Sequence, residues 1–194
     1  SLPSITEQDR SDILFGLEEG IDFIAASFIR DADGVREIRH LCCENGGEHV
    51  GIFPKIECAL GVQNFDEILK VSDGIMVARG DMAVEMPFEE VPLVTKRCIE
   101  LSRQYAKPVI VATEVLGSMV NSPVPTRAEA SDCANAILDG SDATMTSNET
   151  AVGEYPVETV KTMARISGYA TEHGFDRIPH LKDLDMSSTG AVSS

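Results

Sequence analysis

Lys55 and Glu57, in the run Phe53-Pro54-Lys55-Ile56-Glu57, are placed to do chemistry together. They lie two apart in an apolar, strand-like segment, so both side chains leave the same face of a strand. If Ile52 and Ile56 take the opposite face, against helices, the lysine and the glutamate point into the mouth of a sheet. Charges there are costly unless paired or liganded, so the plain alternative is an ion pair at a strand end. A second acid follows the next apolar run, in Met76-Val77-Ala78-Arg79-Gly80-Asp81. Gly80 permits close backbone approach by a ligand, and amides at a helix start favour an anion such as a carboxylate. The plain alternative for Asp81 is a helix N-cap. Glu57 and Asp81 on adjacent strands would make a hard, two-carboxylate site with room for water, which suits Mg²⁺.

Two further segments end apolar runs with polar residues. Thr113, in Val111-Ala112-Thr113-Glu114, offers a hydroxyl, and Ser147 opens Ser147-Asn148-Glu149-Thr150. Threonine is also an ordinary strand residue, and the second segment also reads as loop capping. Thr126-Arg127-Ala128-Glu129 reads as a helix N-cap with a supporting ion pair. His40, His49, His173 and His180 fall in helix ends or the tail, where none is placed for metal or acid–base work. The five cysteines form no CxxC pair and fit no zinc spacing. They read as reduced thiols, with Cys58 notable because it follows Glu57.

Five strands must carry these residues: Asp22–Phe28, Val50–Glu57, Gly74–Ala78, Val109–Ala112 and Ala143–Ser147. Each is a nearly continuous apolar run, as parallel strands covered on both faces require. Helices with clear punctuation lie between them. Thr6 and Asp9 resemble a capping box, and Gly20 sits where a C′ glycine belongs. Val35, Ile38 and Cys42 share one helix face, Val62, Phe65 and Leu69 another, and Val94, Cys98, Leu101 and Tyr105 a long stripe. Ala130, Ala134, Ile137 and Leu138 pack a helix that ends at Gly140, and Pro156 suits the first turn of the last helix. Periodicity is lost from about Gly174. The expected division is therefore an α/β domain over 1–173 and a flexible tail or linker over 174–194.

Strands alternating with helices mean successive βα units and a parallel α/β sheet. Five strands are too few to close an eight-stranded barrel, and the competing architecture is an open doubly wound sheet. No glycine-rich phosphate loop follows the first strand, so a dinucleotide fold has little support. The 194 residues carry 32 acidic against 16 basic side chains, a formal charge of −16. That balance repels nucleic acid and anionic membranes. No apolar stretch is long enough for a membrane span, and no secretion leader stands at the first residues, so a cytoplasmic location is expected. A phosphorylated substrate would need local rescue by a lysine, helix N-termini or a bound cation.

Taken in order, LPSITEQDRSDILFG, DFIAASFIR, FPKIE, SDGIMVARGDMAVEMPFEEVP, KPVIVATEVL, PTRAEASDCANAILDGSDATM and YPVETVKTMARI closely resemble pyruvate kinase, in its bacterial form, over about residues 2–170. KIE, MVARGD and PTRAEASD at these spacings are highly specific. The resemblance implies a partial (β/α)8 barrel comprising parallel strands 4 to 8 with their helices. The implied activity is phosphoryl transfer from phosphoenolpyruvate to ADP, giving pyruvate and ATP, with Mg²⁺ or Mn²⁺ and K⁺. It assigns Glu57 and Asp81 to the divalent ion and Lys55 to the phosphoryl charge and enolate oxygen. Gly80, Asp81 and Thr113 would receive the substrate carboxylate, Ser27 and Phe28 would border the pocket towards the K⁺ site, and Ser147 would lie near the face where the enolate is protonated.

The resemblance also implies an absent part: three strands, a lid domain inserted after the third, most K⁺ ligands and a C-terminal regulatory domain. Glu114, Asn148, Thr146, Ala83 and Cys58 stand where the family usually has glutamine, glycine, leucine, glycine and asparagine. Two alternatives follow. One is a catalytically degenerate half-barrel with a structural, regulatory or assembly role, and the other an aldolase-type barrel acting on another oxo-acid. Unpaired sheet edges would leave backbone groups open, so a homo-oligomer, a complex with a complementing N-terminal half, or a partly molten chain is expected.

Overall fold

The computed structural model describes residues 5–174, so the tail expected beyond Gly174 lies outside the described residues. The elements run α1 (Glu7–Glu18), β1 (Phe23–Ala26), α2 (Ala32–Glu44), β2 (Gly51–Ile56), α3 (Ala59–Gln63), α4 (Phe65–Val71) and β3 (Ile75–Ala78). They continue with α5 (Arg79–Glu85), α6 (Val91–Gln104), β4 (Val109–Ala112), a 3-10 turn (Gly117–Val120), α7 (Arg127–Asp139), β5 (Ala143–Met145), α8 (Asn148–Ala151) and α9 (Pro156–His173). No helix among the described residues is long and apolar enough to cross a membrane.

The strands form one all-parallel sheet in the order β1-β2-β3-β4-β5. A doubly wound sheet needs a reversal of strand order to place helices on both faces. Here the order follows the chain throughout, and right-handed crossovers that all step the same way lay their helices on one face. Ile52, Ile56, Ile75, Val77, Val109 and Val111 fill that face and pack with Val35, Ile38, Phe65, Ile68, Leu69 and Ile99 of the helices. On the other face Phe53 meets Phe23 edge to face, with ring centroids 5.2 Å apart.

Local chemistry sets the element ends. Thr6 and Asp9 form the expected capping box of α1, and Thr126 and Glu129 form one for α7. Gly20 and Gly140 follow their helices at φ +75° and +100°, a conformation that costs glycine little. Pro156 opens α9 as expected. Two aspartates act as clamps between neighbouring strands. Asp73 donates its N–H to the Ile52 carbonyl (3.0 Å) and accepts the Ile52 N–H on Oδ2 (2.7 Å). Asp142 repeats the pattern on Val109, at 2.9 and 2.8 Å. Lys107 seals the end of α4, its Nζ donating to the carbonyls of Leu69, Lys70 and Ser72 at 2.5, 3.0 and 2.6 Å. Burial holds the Lys107 pKa below the usual lysine value, against the pull of Asp73.

Three packing expectations are corrected. The helix expected through Val62 and Leu69 breaks at Asn64, whose Nδ2 donates to the Arg30 carbonyl (2.8 Å). On α6 the buried face is Val91, Thr95, Cys98, Ile99 and Ser102, because that face meets β3 and β4, and Tyr105 falls outside the helix, exposed at its C-cap. On α7 Cys133 and Ala136 are the buried residues, while Ala130, Ala134 and Leu138 border a groove against α9. Burial pushes the Cys98 thiol up to about 12 and also raises those of Cys42 and Cys133.

Candidate functional site

The C-terminal ends of the strands gather the polar residues in two adjacent groups. The first joins β1 and β2. Glu57, fully buried, follows the last residue of β2, and Lys55 precedes that residue on the same face. Glu57 Oε1 accepts the Phe28 N–H at 2.7 Å. Lys55 Nζ stands 3.0 Å from Glu57 Oε2 and 3.3 Å from Ser27 Oγ. The ammonium approaches Oε2 outside hydrogen-bonding geometry, and no other donor reaches that oxygen. A buried carboxylate oxygen with charge beside it but no hydrogen bond is under-satisfied. Phe28 is held at φ +52°, an uncommon conformation for a bulky residue.

The second group joins β3, β4 and β5 around a cleft of about 310 Å³, lined by Gly80, Asp81, Thr113, Glu114, Ser147 and neighbours. The Gly80 N–H donates to Thr113 Oγ1 (2.8 Å), and the Thr113 hydroxyl donates to the Ala112 carbonyl (2.6 Å). Thr113 and Glu114 have φ of +69° and +54°. Two consecutive non-glycine residues in the left-handed region carry strain, and the surroundings must hold them there. Arg79 supplies part of that hold, donating to the Thr113 carbonyl (3.1 Å) while paired with Asp132 (2.8 Å). The buried Glu149 supplies another part, accepting the N–H groups of Leu116 (3.3 Å) and Ser147 (2.7 Å). Asp81 is exposed in the first turn of α5.

The structure thus brings Ser27, Phe28, Lys55 and Glu57 together, and Gly80, Asp81, Thr113 and Ser147 together. Ile56 pairs with Val77, which sets Glu57 beside Ala78, three residues before Asp81. No cluster of three or more His, Cys, Asp or Glu side chains suited to a metal occurs among the described residues. Of the larger hollows, one of about 580 Å³ between α7 and α9 lies away from this rim and one of about 390 Å³ beside β1 reaches it at Ser27; both are mostly apolar. The candidate site residues lie on this polar rim and not in the largest hollow. Arg79 and Glu149 were not singled out from the sequence, although both sit inside the segments that were. Their partners, Asp132 and Leu116, are far away along the chain.

Residues 1–160 match the family model described as pyruvate kinase, barrel domain. The chain belongs to the pyruvate kinase family. The pyruvate kinase of Sporosarcina psychrophila is 61% identical over 175 residues, covering 90% of this chain and 30% of the relative. That of Bacillus licheniformis is 54% identical over 195 residues, covering 99% and 33%. That of Geobacillus stearothermophilus is 59% identical over 167 residues, covering 86% and 28%. The chain therefore spans about a third of the length of the curated relatives it matches. Within the pyruvate kinase barrel domain, the all-parallel sheet and its polar rim fall in the matched residues.

Proposed function

We propose that residues 1–173 are strands 4 to 8 of a pyruvate kinase (β/α)8 barrel, and that they carry half of a site transferring the phosphoryl group of phosphoenolpyruvate to ADP. The observation that carries this reading is the Lys55–Glu57 pair, with Glu57 Oε2 buried and unbonded beside a lysine. A hard divalent cation fits that oxygen, because Mg²⁺ binds through one or two carboxylates and keeps its waters. Glu57 and Asp81 would hold Mg²⁺ or Mn²⁺, and the bound ion would neutralise charge shared by the enolpyruvate and phosphoryl oxygens. A K⁺ site would lie towards Ser27 and Phe28, with its other ligands outside these residues.

The chain's own residues then have distinct tasks. Lys55 would place a positive charge where the phosphoryl group leaves and the enolate oxygen develops. Positioning and charge neutralisation are most of what phosphoryl transfer asks of a protein. Gly80, Asp81 and Thr113 would receive the substrate carboxylate, which must compete with Thr113 Oγ1 for the Gly80 N–H. Ser147, its N–H held by Glu149, would border the face on which the enolate is protonated. The reaction belongs in the cytoplasm, with ADP and phosphoenolpyruvate as partners and a homo-oligomer or complementing half completing the barrel.

A second reading, a barrel piece kept for a structural or assembly role, has one observation in its favour. Glu114 lines the cleft and adds negative charge where an anionic substrate would enter. Reconstitution separates the two. The chain joined to the flanking parts of a relative should release pyruvate from phosphoenolpyruvate and ADP, and Lys55→Arg, which keeps a positive charge beside the buried Glu57, should cut release sharply while the barrel stays folded. A folded reconstituted barrel that makes no pyruvate would favour the structural role.

A further inference from the structure

Two strand junctions in this sheet are closed by the same device. Asp73, just before β3, and Asp142, just before β5, each hold one residue of the strand to their left by two hydrogen bonds. The backbone N–H gives to that residue's carbonyl, and the carboxylate takes its N–H. The held residues, Ile52 and Val109, are both β-branched and both face the helix-covered side of the sheet. Alternate strands carry the device, since Val50 and Pro108 occupy the corresponding places before β2 and β4.

β1 opens in the same way. Asp22 stands immediately before it, as Asp142 stands before β5, and β1 is the third alternate strand. Its carbonyl already accepts the Gly51 N–H (2.9 Å) on the β2 side. Its own N–H and its exposed carboxylate take no partner among the described residues, and the edge they face carries no strand. Along that edge runs a mostly apolar groove of about 390 Å³, bordered by Ile13, Ile21, Phe23 and Ile24. Phe23 is 66% exposed there.

We propose that Asp22 is a third strand clamp, and that β1's free edge receives a parallel strand from the part of the pyruvate kinase polypeptide that these residues do not match. The clamp sets direction and register. The incoming strand runs parallel to β1 and presents a β-branched, non-proline residue opposite Asp22, with its N–H and carbonyl both facing that aspartate. Asp22 is then an assembly determinant: its charge-assisted hydrogen bond forms only when the strand arrives. The inference rests on the partial-barrel part of the reading above and on none of its chemistry.

The test needs no catalysis. The parts of the Sporosarcina psychrophila relative on either side of its matched stretch, expressed separately, serve as probes for binding to the chain and to its variants. Hydrogen exchange maps the amides protected. One flanking part should bind and protect Asp22–Ala26. Asp22→Ala should weaken that binding by about tenfold or more, the worth of one charge-assisted hydrogen bond, while Asp12→Ala on the groove rim should change it less than about twofold. In the unbound chain Asp22→Ala should leave the melt unaltered, whereas Asp73→Ala lowers it. Three results would overturn the inference: no binding by either part to a folded chain, equal binding by Asp22→Ala, or a loss of melt for Asp22→Ala matching that of Asp73→Ala. A chain that binds its complement through Asp22 yet makes no pyruvate would sink the proposed reaction and leave the clamp standing.

Discussion

The middle of the sheet and its margins are built to different standards. β3 is buried at all four positions, flanked by β2 and β4 and covered by α4 and α6. β1 buries only Ala26, and β5 buries none of its three residues fully. Phe23-Ile24-Ala25-Ala26 and Ile75-Met76-Val77-Ala78 are both wholly apolar, so the lack of polar residues does not account for the difference. What differs is the neighbour. A strand's burial depends on the strands beside it, and each margin has a neighbour on one side only.

The sharpest way to break this contrast is by truncation. Ile75→Ala removes a fully buried side chain from the middle and should cost about 2–5 kcal/mol in urea unfolding. Phe23→Ala at the margin should cost about 1 kcal/mol, the worth of its edge-to-face contact with Phe53. Equal losses would mean that the margins are as well packed as the centre. Next comes Lys107→Met, which strips three carbonyls at the end of α4 of their shared donor. It should cost about 1.5–3 kcal/mol by the same measurement. A smaller loss would show that water replaces the ammonium and that this tie does not stiffen the centre.

The smallest effects should come from the α7 flank. Thr126→Ala removes a capping-box hydroxyl and should cost about 1 kcal/mol. Burial pushes the Glu129 carboxyl up, but hydrogen bonds from Ser118 and Thr126 outweigh it and hold the carboxyl below its ordinary value of 4.5. A depressed carboxyl contributes stability that is complete above 4.5 and is lost as the pH falls through the folded value. Glu129→Gln should therefore flatten the acid limb of a stability–pH curve below about 4.5 and leave its slope at neutral pH alone. An unchanged acid limb would remove Glu129 from the list of groups that secure this flank.

The same contrast bears on what could be read from the residues alone. Val109–Ala112 is a strand over the expected residues. Asp22–Phe28, Val50–Glu57 and Ala143–Ser147 contract to Phe23–Ala26, Gly51–Ile56 and Ala143–Met145, so apolar runs overstate the ladders at margin and centre, most of all at β1. Lys55 and Glu57 were legible as a pair because a spacing of two puts side chains on one face whatever the rest of the fold does. The left-handed turn at Thr113 and Glu114 was not legible, since neither residue type prefers it. It exists because Arg79 and Gly80, about 33 residues earlier, reach across to hold it. Tyr105 was misplaced for a related reason: helical spacing defines a stripe, but only the packed sheet decides which stripe is buried.

The most direct test of the account is Mn²⁺ titration of the chain, followed by electron paramagnetic resonance, with Glu57→Gln alongside. Binding by the parent, weakened more than about tenfold in the variant, is the expected result, because Oε2 is buried beside the Lys55 ammonium and accepts no hydrogen bond. Equal Mn²⁺ affinity in both proteins would contradict it and reduce Lys55 and Glu57 to an ion pair at a strand end.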